Sequence, residues 1–484
     1  MLPRRYETRD DYEASRPILA VWEITLACTL KCTHCGSRAG VRRVGELTTA
    51  ECLDVVAQLA RMGVREVALI GGEAFLRGDW IEIIKAVRDH GMDCSMQTGG
   101  RGLTEQKIQK AAEAGLTSCG VSLDGLQILH DELRGVPGSY DQALAVLAHL
   151  RKHGVPSSVN TQIGSKIMPE LRDLMHRIVD TGAKNWQVQL TVAMGNAADK
   201  PELLLQPFQV LDLMPLLAEL HEEAMELGLL LQPANSIGYF GPYEHRWRIV
   251  DDALGHWQGC AAGQTSIGIE ADGTIKGCPS LPTIPYAGGN IRQMTIAEMW
   301  ELSDSLRFAR DRTVSDLWGF CRTCYYADVC RAGCTWTTHV LFGRPGNNPY
   351  CHYRALELAQ RGLRERVEKV DDASGKPFDY GRFNLIVEPI NGGDGPRTIE
   401  VPLVVLDAGR PRRRGSTPTA LVLCHGCDQY VFPGTTTCPH CGSDVASMAE
   451  QYATTLAEAE AAATELARYL EFPDALPSDS EPDK

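Results

Sequence analysis

ILAVWEITLACTLKCTHC, residues 18–35, joins a short apolar run to three closely spaced cysteines. The apolar run is typical of a buried strand, and Cys28, Cys32 and Cys35 follow it directly. Iron–sulfur clusters take thiolate ligands, and because four thiolates would saturate a cubane, a set of three leaves one iron open. The alternative is a zinc site in which His34 is the fourth ligand. The stretch therefore predicts a metal centre at the end of the first strand.

A Gly-Gly-Glu turn ends the second strand pattern, EVALIGGE (66–73). Gly71 and Gly72 let the backbone approach a ligand closely, and Glu73 can accept a hydrogen bond from an ammonium group. Three cysteines after one strand and this turn after the next resemble the radical S-adenosylmethionine (SAM) superfamily, in which the turn binds the SAM amino group. The resemblance covers roughly residues 18–352. It implies that SAM chelates the open iron and is cleaved to a 5′-deoxyadenosyl radical, which abstracts hydrogen from a substrate.

Short apolar runs alternate with helical patterns through the first half of the chain. The strand patterns are ILAVWEIT, EVALIGGE, CSMQTGG, SCGVSLDG, SSVNTQI and WQVQLTVA, all within residues 18–193. Six βα units in series predict a parallel sheet with right-handed crossovers and a ligand site at the carboxyl ends of its strands. The fold class is therefore α/β, and the resemblance implies a partial (β/α)6 barrel.

Further SAM contacts follow from the resemblance by position. It places Thr98, Gly99, Ser122 and Asp124 near the methionine and ribose of SAM. It places Arg134 near the carboxylate of SAM, and the stretch from Leu190 to Gly195 along the adenine. Arg134 suits a carboxylate because a guanidinium makes charge-assisted hydrogen bonds. For Thr98 and Ser122 the alternative is an ordinary strand end. The chain departs from the usual family pattern at Ala74, where many relatives have proline, and at Gly100, where asparagine is common.

Seven cysteines between residues 260 and 351 resemble the SPASM domain, a cluster-binding module of radical SAM enzymes that modify peptides. By motif position, one auxiliary cluster is fully held by Cys321, Cys324, Cys330 and Cys351. The other is held by Cys260, Cys278 and Cys334, and its fourth ligand is not assigned. The alternative is two structural zinc sites that share these thiolates.

Two Cys-x2-Cys pairs lie near the end of the chain, formed by Cys424, Cys427, Cys438 and Cys441. Four thiolates in paired spacing are what tetrahedral zinc requires, so the spacing predicts a zinc ribbon. A single rubredoxin-like iron is the alternative. Such a ribbon often contacts a partner, and the basic turn RPRRRG (410–415) beside it suits an acidic peptide or nucleic acid, although a solvated turn is the simpler interpretation.

Composition limits the remaining classes of function. The formal charge of −14 argues against a broad nucleic-acid surface. Apolar runs long enough to span a membrane are not evident, and the charged N-terminus lacks the apolar core of a signal peptide. We therefore expect a cytoplasmic protein with no membrane partner. Three of the 17 cysteines, Cys52, Cys94 and Cys119, stand apart from the clusters and are interpreted as buried apolar residues.

The domain organisation follows from these patterns. We predict an N-terminal extension (1–17), a radical SAM partial barrel (18–231), a SPASM domain (232–370), a linker with a short strand (371–415), and a ribbon module with a helix and an acidic tail (416–484).

The resemblance implies an enzyme with three 4Fe–4S clusters, SAM and one zinc ion. We interpret it as a maturase of ribosomally made precursor peptides, reduced by an electron donor such as flavodoxin or ferredoxin. One alternative is a SPASM-type decarboxylase of tetrapyrrole side chains. An alternative of another class is a non-catalytic iron–sulfur and zinc scaffold that binds nucleic acid. The sequence does not identify a substrate-side acid or base.

Overall fold

The computed structural model describes residues 7–248, 255–390, 398–400 and 419–471. The chain divides into two compact units, Met1–Thr419 and Ala420–Lys484. The basic turn RPRRRG, most of the strand pattern IEVPLVVLD (399–407) and the acidic tail lie outside the described residues.

One ten-stranded sheet is the centre of the larger unit. Its strands are β1 (Leu19–Thr25), β2 (Glu66–Gly71), β3 (Asp93–Thr98), β4 (Ser118–Ser122), β5 (Ser157–Ile163), β6 (Asn185–Leu190), β7 (Leu230–Pro233), β8 (Ser266–Ile269), β9 (Thr274–Lys276) and β10 (Gly289–Asn290). They pair in the order β10-β9-β8-β1-β2-β3-β4-β5-β6-β7. Every pair from β8 through β1 to β7 is parallel, and only β9 and β10 run antiparallel to their neighbours. The expected parallel sheet is therefore confirmed.

Amphipathic helices connect the parallel strands. They span Thr49–Arg61, Trp80–Asp89, Glu105–Glu113, Gln127–Arg134, Ser139–Lys152, Leu171–Thr181 and Val210–Glu226. The first is typical: the Thr48 side chain and Glu51 form a reciprocal capping box at its start, which satisfies donors that a helix N-terminus leaves free. Its apolar face, including Val55, Val56 and Leu59, is buried against the sheet core. The strands thus present their carboxyl ends together at one edge.

The cysteine-rich segment contributes strands to the same sheet. β8 pairs in parallel with β1, with Leu19 opposite Ser266 on one side and opposite Glu66 on the other. After β10 come short helices, at Ile296–Leu302, Asp304–Asp311, Gly319–Thr323, Ala327–Cys330, Thr335–Phe342 and His352–Gln360. β8 begins 247 residues after β1 in the sequence (Leu19 to Ser266) but pairs with it, so the sheet continues past the boundary that the sequence suggested near residue 231.

A second, antiparallel sheet follows the cysteine-rich segment. It contains β11 (Leu363–Asp371), β12 (Arg382–Pro389) and β13 (Thr398–Glu400). The sequence suggested a linker with one short strand here. The alternation of Phe383, Leu385 and Val387 in RFNLIVEP is a period-2 signal of a strand. The Gly- and Pro-containing stretches on both sides of it suggested a loop instead.

The smaller unit contains a two-stranded hairpin and a helix. β14 (Val422–Cys424) pairs with β15 (Gln429–Val431), and the helix spans Val445–Glu471. Its own small core is formed by Cys424, Val431, Cys438 and Val445.

One stretch, Pro201–Glu226, has the length and apolar composition of a membrane-crossing helix, although the sequence suggested none. Its most apolar window is 56% buried inside the protein. Leu213, Leu217 and Leu220 pack there into the main core, which is the position of a core helix.

Candidate active site

The three-cysteine loop leaves the carboxyl end of β1 and folds beside the turn after β2. The backbone N–H of Ala39 points at the Cys35 sulfur, 3.4 Å away, and that of Leu30 at the Cys28 sulfur, also 3.4 Å away. Burial raises the pKa of Cys28 to about 12 and that of Cys32 to about 11. Thiols that resist ionisation when unpaired need a cation to become thiolates. The donor set and its N–H···S contacts therefore fit an iron–sulfur cluster.

His34 lies between these cysteines but turns toward Asp124. Its Nε2 is 3.0 Å from an Asp124 carboxylate oxygen, and both side chains are buried. That nitrogen is therefore held by a carboxylate, which disfavours the alternative in which His34 completes a zinc site.

The Gly-Gly-Glu turn packs directly on the loop that carries Cys28. A Cβ at Gly71 would lie 2.1 Å from the Thr25 oxygen, and one at Gly72 would lie 2.1 Å from the Ala27 oxygen. Any side chain at these two positions would separate the turn from the cysteine loop. In this structure the glycines are thus required by the approach of two backbone segments, a reason that the sequence alone did not suggest.

Glu73 is fully enclosed at the end of β2. One carboxylate oxygen accepts a hydrogen bond of 2.5 Å from the Thr98 hydroxyl, and the other accepts one of 2.8 Å from the Gly99 N–H. Burial raises the pKa of Glu73 to about 7. A bound ammonium group would supply the positive charge that this buried carboxylate lacks, so Glu73, Thr98 and Gly99 fit the amino end of SAM.

Arg134 and Asp124 form a buried ion pair, with Arg134 Nη2 2.5 Å from an Asp124 carboxylate oxygen. The guanidinium also lies 3.7 Å from the Cys32 sulfur. Its Nε is buried and donates to no atom of the described residues. Asp124 therefore serves first as the counter-ion of Arg134 and lies beside His34, while Arg134 keeps one donor beside the cysteine loop.

The remaining expected SAM residues lie at or near the same edge of the sheet. Ser122 ends β4 opposite Asn160, and Leu190 ends β6, where its N–H donates to the Ser236 hydroxyl at 3.2 Å. A Cβ on Gly195 would lie 2.3 Å from the Cys35 oxygen. The stretch after β6 thus packs against the cysteine loop.

Four SPASM cysteines line one cavity. The cavity is enclosed by aromatic residues such as Tyr239, Phe240 and Tyr326, and its sulfur-bearing wall consists of Cys321, Cys324, Cys330 and Cys351. Burial raises the pKa of all four thiols. Four thiols around an apolar cavity fit a fully ligated cluster.

Cys260, Cys278 and Cys334 form a separate group. Cys260 and Cys278 pack against the small apolar core of Ala262, Leu281 and Tyr286. Cys334 is near enough to both that their negative charges, after burial, help to raise its pKa to about 12. The structure thus contains a group of four of these cysteines around one cavity and a separate group of three.

The four C-terminal cysteines converge within the smaller unit. The sulfur atoms of Cys424, Cys427, Cys438 and Cys441 all lie within 4.8 Å of one another. Hydrogen bonds from Ser443 help to lower the pKa of Cys441 to about 6, which favours a thiolate at neutral pH. The set fits a tetrahedral metal ion. By contrast, Cys52, Cys94 and Cys119 lie in the main hydrophobic core.

Arg38 and Asp379 also belong to the site, and the sequence analysis missed both. Their side chains pair at 2.7 Å beside the cysteine loop. Arg38 stands three residues after Cys35, a proximity that the sequence does show, whereas nothing in the turn-rich stretch around Asp379 points to the site.

Comparison with known proteins agrees with this geometry. The family model of the radical SAM superfamily matches residues 22–178. That of the SPASM iron-sulfur cluster-binding domain matches residues 260–325. The AdoMet-dependent heme synthase of Methanosarcina barkeri is 30% identical over 349 residues, which cover 70% of this chain and 97% of that protein.

This chain belongs to the radical SAM superfamily.

Two further proteins resemble this radical SAM enzyme. The PqqA peptide cyclase of Bradyrhizobium diazoefficiens is 26% identical over 386 residues, which cover 79% of this chain and 97% of that protein. The crystal structure of Streptococcus suis SuiB bound to its precursor peptide SuiA superposes with a TM-score of 0.54 at 17% identity, over 66% of this chain and 72% of that one. The last comparison shows a shared fold. Membership of an enzyme family makes this chain an enzyme, which excludes the non-catalytic scaffold.

Proposed function

We propose that this enzyme is a SPASM-type peptide maturase that modifies a residue of a ribosomally made precursor peptide. The expected change is a cross-link or another oxidation of a side chain. The observation that carries the proposal is that basic side chains around the site are already paired with carboxylates of the protein. Arg38, Arg43 and Lys276 are each already paired with a carboxylate at 2.6–2.7 Å. Their charges are balanced within the protein, which suits a peptide segment better than a polyanionic tetrapyrrole.

The residues around the three cysteines would hold the cofactors of this reaction. We assign a 4Fe–4S cluster to Cys28, Cys32 and Cys35, with SAM between Glu73 and Arg134. When bound, this pair supplies a 5′-deoxyadenosyl radical that abstracts hydrogen from the substrate. Glu73 would orient the amino group of SAM, and the free donor of Arg134 its carboxylate.

The two groups of SPASM cysteines would hold two auxiliary 4Fe–4S clusters. A cross-linked product is more oxidised than its precursor, so an electron must leave the substrate after hydrogen abstraction. The two cysteine groups lie in the same unit as the radical site, so clusters bound there would be candidate electron acceptors. An external donor, a flavodoxin or ferredoxin, would supply the electron that starts the reaction.

We further propose one zinc ion at Cys424, Cys427, Cys438 and Cys441, and a cytoplasmic location. The sulfur separations of at most 4.8 Å support a single ion bound by all four thiolates.

Peptide maturation by relatives supports the choice of substrate, since the PqqA peptide cyclase matches most of this chain.

A second candidate function is the decarboxylation of tetrapyrrole side chains. It is favoured by a specific observation, the 30% identity to an AdoMet-dependent heme synthase that the match covers almost completely. A tetrapyrrole carries several carboxylates, so this function would require cations other than Arg38, Arg43 and Lys276, which are already paired.

The test incubates the reduced enzyme and SAM with short peptides encoded beside its gene and, in parallel, with carboxylated tetrapyrroles. We expect a mass change on a defined peptide residue. Unmodified peptides together with loss of carboxyl groups from a tetrapyrrole would establish the second candidate instead.

A further inference from the structure

A loop from outside both matched domains reaches the radical site. Residues 374–380, here called the Asp379 loop, connect β11 to β12 of the three-stranded sheet. The radical SAM and SPASM models match up to residues 178 and 325, so neither includes this loop. The loop nevertheless contacts the protein immediately beside the three cysteines.

The Asp379 carboxylate holds the loop together through hydrogen bonds. One carboxylate oxygen accepts hydrogen bonds from Gly375 N–H at 2.5 Å, Lys376 N–H at 3.1 Å and the Ser374 hydroxyl at 3.2 Å. The other accepts a hydrogen bond of 2.7 Å from Arg38 Nε. The carboxylate is thus held by its own loop on one side and presented to Arg38 on the other.

Arg38 links Asp379 to the cysteine loop through Asn196. Its backbone has φ = +48°, a left-handed conformation that is costly for a residue with a side chain. Its Nη1 donates to the Asn196 side-chain oxygen at 2.9 Å, and its Nη1 and Nη2 also donate to the two carboxylate oxygens of Asp199, at 2.6 and 3.0 Å. Asn196 in turn donates from its side chain to the Cys32 oxygen at 2.8 Å and from its backbone to the Cys35 oxygen at 2.9 Å. Two of the three cysteines are therefore tied to this network through their carbonyl groups.

The backbone of the loop makes a second, independent attachment. The Asp379 oxygen accepts a hydrogen bond of 2.8 Å from the Gly195 N–H, and Tyr380 forms a β-bridge with Met194. On its far side the loop is anchored in the SPASM segment, where the Tyr380 hydroxyl lies 3.0 Å from His339 Nε2. Asp379 and Tyr380 thus attach the loop both to the stretch after β6, around Gly195, and to the SPASM segment.

We propose that Asp379 is a positioning residue for SAM cleavage, which holds Arg38 and through it the loop that carries Cys32 and Cys35. The side chains of Asp379 and Arg38 are only 7% and 13% exposed, so their contact is largely shielded from solvent. Removing partners that orient the ligands of a metal centre lowers metal affinity or activity about 10- to 100-fold. The proposal concerns SAM cleavage and is independent of the substrate.

The experiment compares Asp379→Ala, Arg38→Ala and the double variant after anaerobic reconstitution. Glu388→Ala is the matched control, because Glu388 forms ion pairs with Arg364 and Arg366 within the same small sheet. The measurements are iron per chain, the change that SAM causes in the electron paramagnetic resonance signal of the reduced protein, and 5′-deoxyadenosine formation without substrate. A variant with Cys28, Cys32 and Cys35 replaced by alanine gives the zero level.

We expect each single variant to form 5′-deoxyadenosine about 10- to 100-fold more slowly, with a weakened response to SAM. The auxiliary iron, about eight atoms per chain, should remain. The double variant should be little worse than Arg38→Ala, because Arg38→Ala already removes the contact with Asp379. Asp379→Ala should be the milder single variant, because Asp199 still pairs with Arg38 there. Wild-type cleavage in Asp379→Ala, additive losses, equal losses in Glu388→Ala, or loss of iron from every site would each overturn the proposal.

Discussion

At the scale of single residues, burial decides what Glu73 can do. Its two oxygens already accept hydrogen bonds from Thr98 and Gly99, yet burial still raises the pKa of the carboxyl to about 7. Because the pKa is raised, ionisation destabilises the folded protein as pH rises above the ordinary carboxyl range. A bound ammonium group offsets that cost, so SAM binding and Glu73 ionisation should favour each other.

The pH dependence of SAM binding tests this coupling. Binding should tighten between pH 6 and about 7.5 as Glu73 ionises, and then weaken near pH 8 as the SAM amino group loses its proton. Glu73→Gln should weaken binding at neutral pH about 10-fold or more, since a charge-assisted hydrogen bond is lost, and should abolish the acidic limb. Equilibrium titration of SAM into the reconstituted protein measures both effects. A half-buried control away from the cysteine loop, Glu105→Gln, should keep the wild-type curve. A Glu73→Gln curve of wild-type shape would contradict the assignment.

At the scale of elements, the ribbon and its helix form a unit with a separate core. The hairpin β14–β15 and the helix Val445–Glu471 enclose Cys424 and Cys438. The cysteines of the radical and SPASM sites all lie in the other unit. We therefore expect the ribbon to serve its own stability or the docking of a partner.

Deletion of residues 416–484 tests this separation. The truncated protein should keep wild-type SAM cleavage, because its cluster cysteines and their neighbours are retained, while modification of the substrate should weaken. The assay measures 5′-deoxyadenosine and substrate modification side by side. The matched control is the full-length chain in which Cys424 and Cys427 are replaced with serine. This variant should lose the metal of the ribbon but keep the rest of the module. Loss of the radical-site cluster on truncation would show that the ribbon belongs to the main fold.

At the scale of the whole molecule, the thiol groups predict a metal inventory. Two auxiliary clusters and one radical-site cluster require about 12 irons per chain, and the ribbon about one zinc. Elemental analysis of the anaerobically reconstituted protein gives both numbers. About four irons with several zincs would make the SPASM segment a zinc module, and about 13 irons without zinc would place a single iron in the ribbon.

Local spacing accounts for what the sequence by itself determined. The three cysteines after β1, the Gly-Gly-Glu turn after β2 and the alternation of strand and helix are short-range patterns, so they were sufficient to predict the parallel sheet and the superfamily. The resemblance to the SPASM domain implied the division of its cysteines, and the paired spacing predicted the ribbon. In the structure the thiols lie in a group of four, a group of three and a second group of four. Residue type and spacing carry this information because ligand chemistry depends on them directly.

Only the tertiary structure decided the contacts between distant segments. β8 pairs with β1, Asp124 neutralises Arg134 and holds His34, and Asp379 reaches Arg38 across 341 positions. Local sequence patterns do not specify such partners, since a buried charge can be matched by any carboxylate that the fold brings near. The sequence by itself therefore determined which atoms can hold the cofactors. The packing of remote segments decided which residues hold those atoms in place.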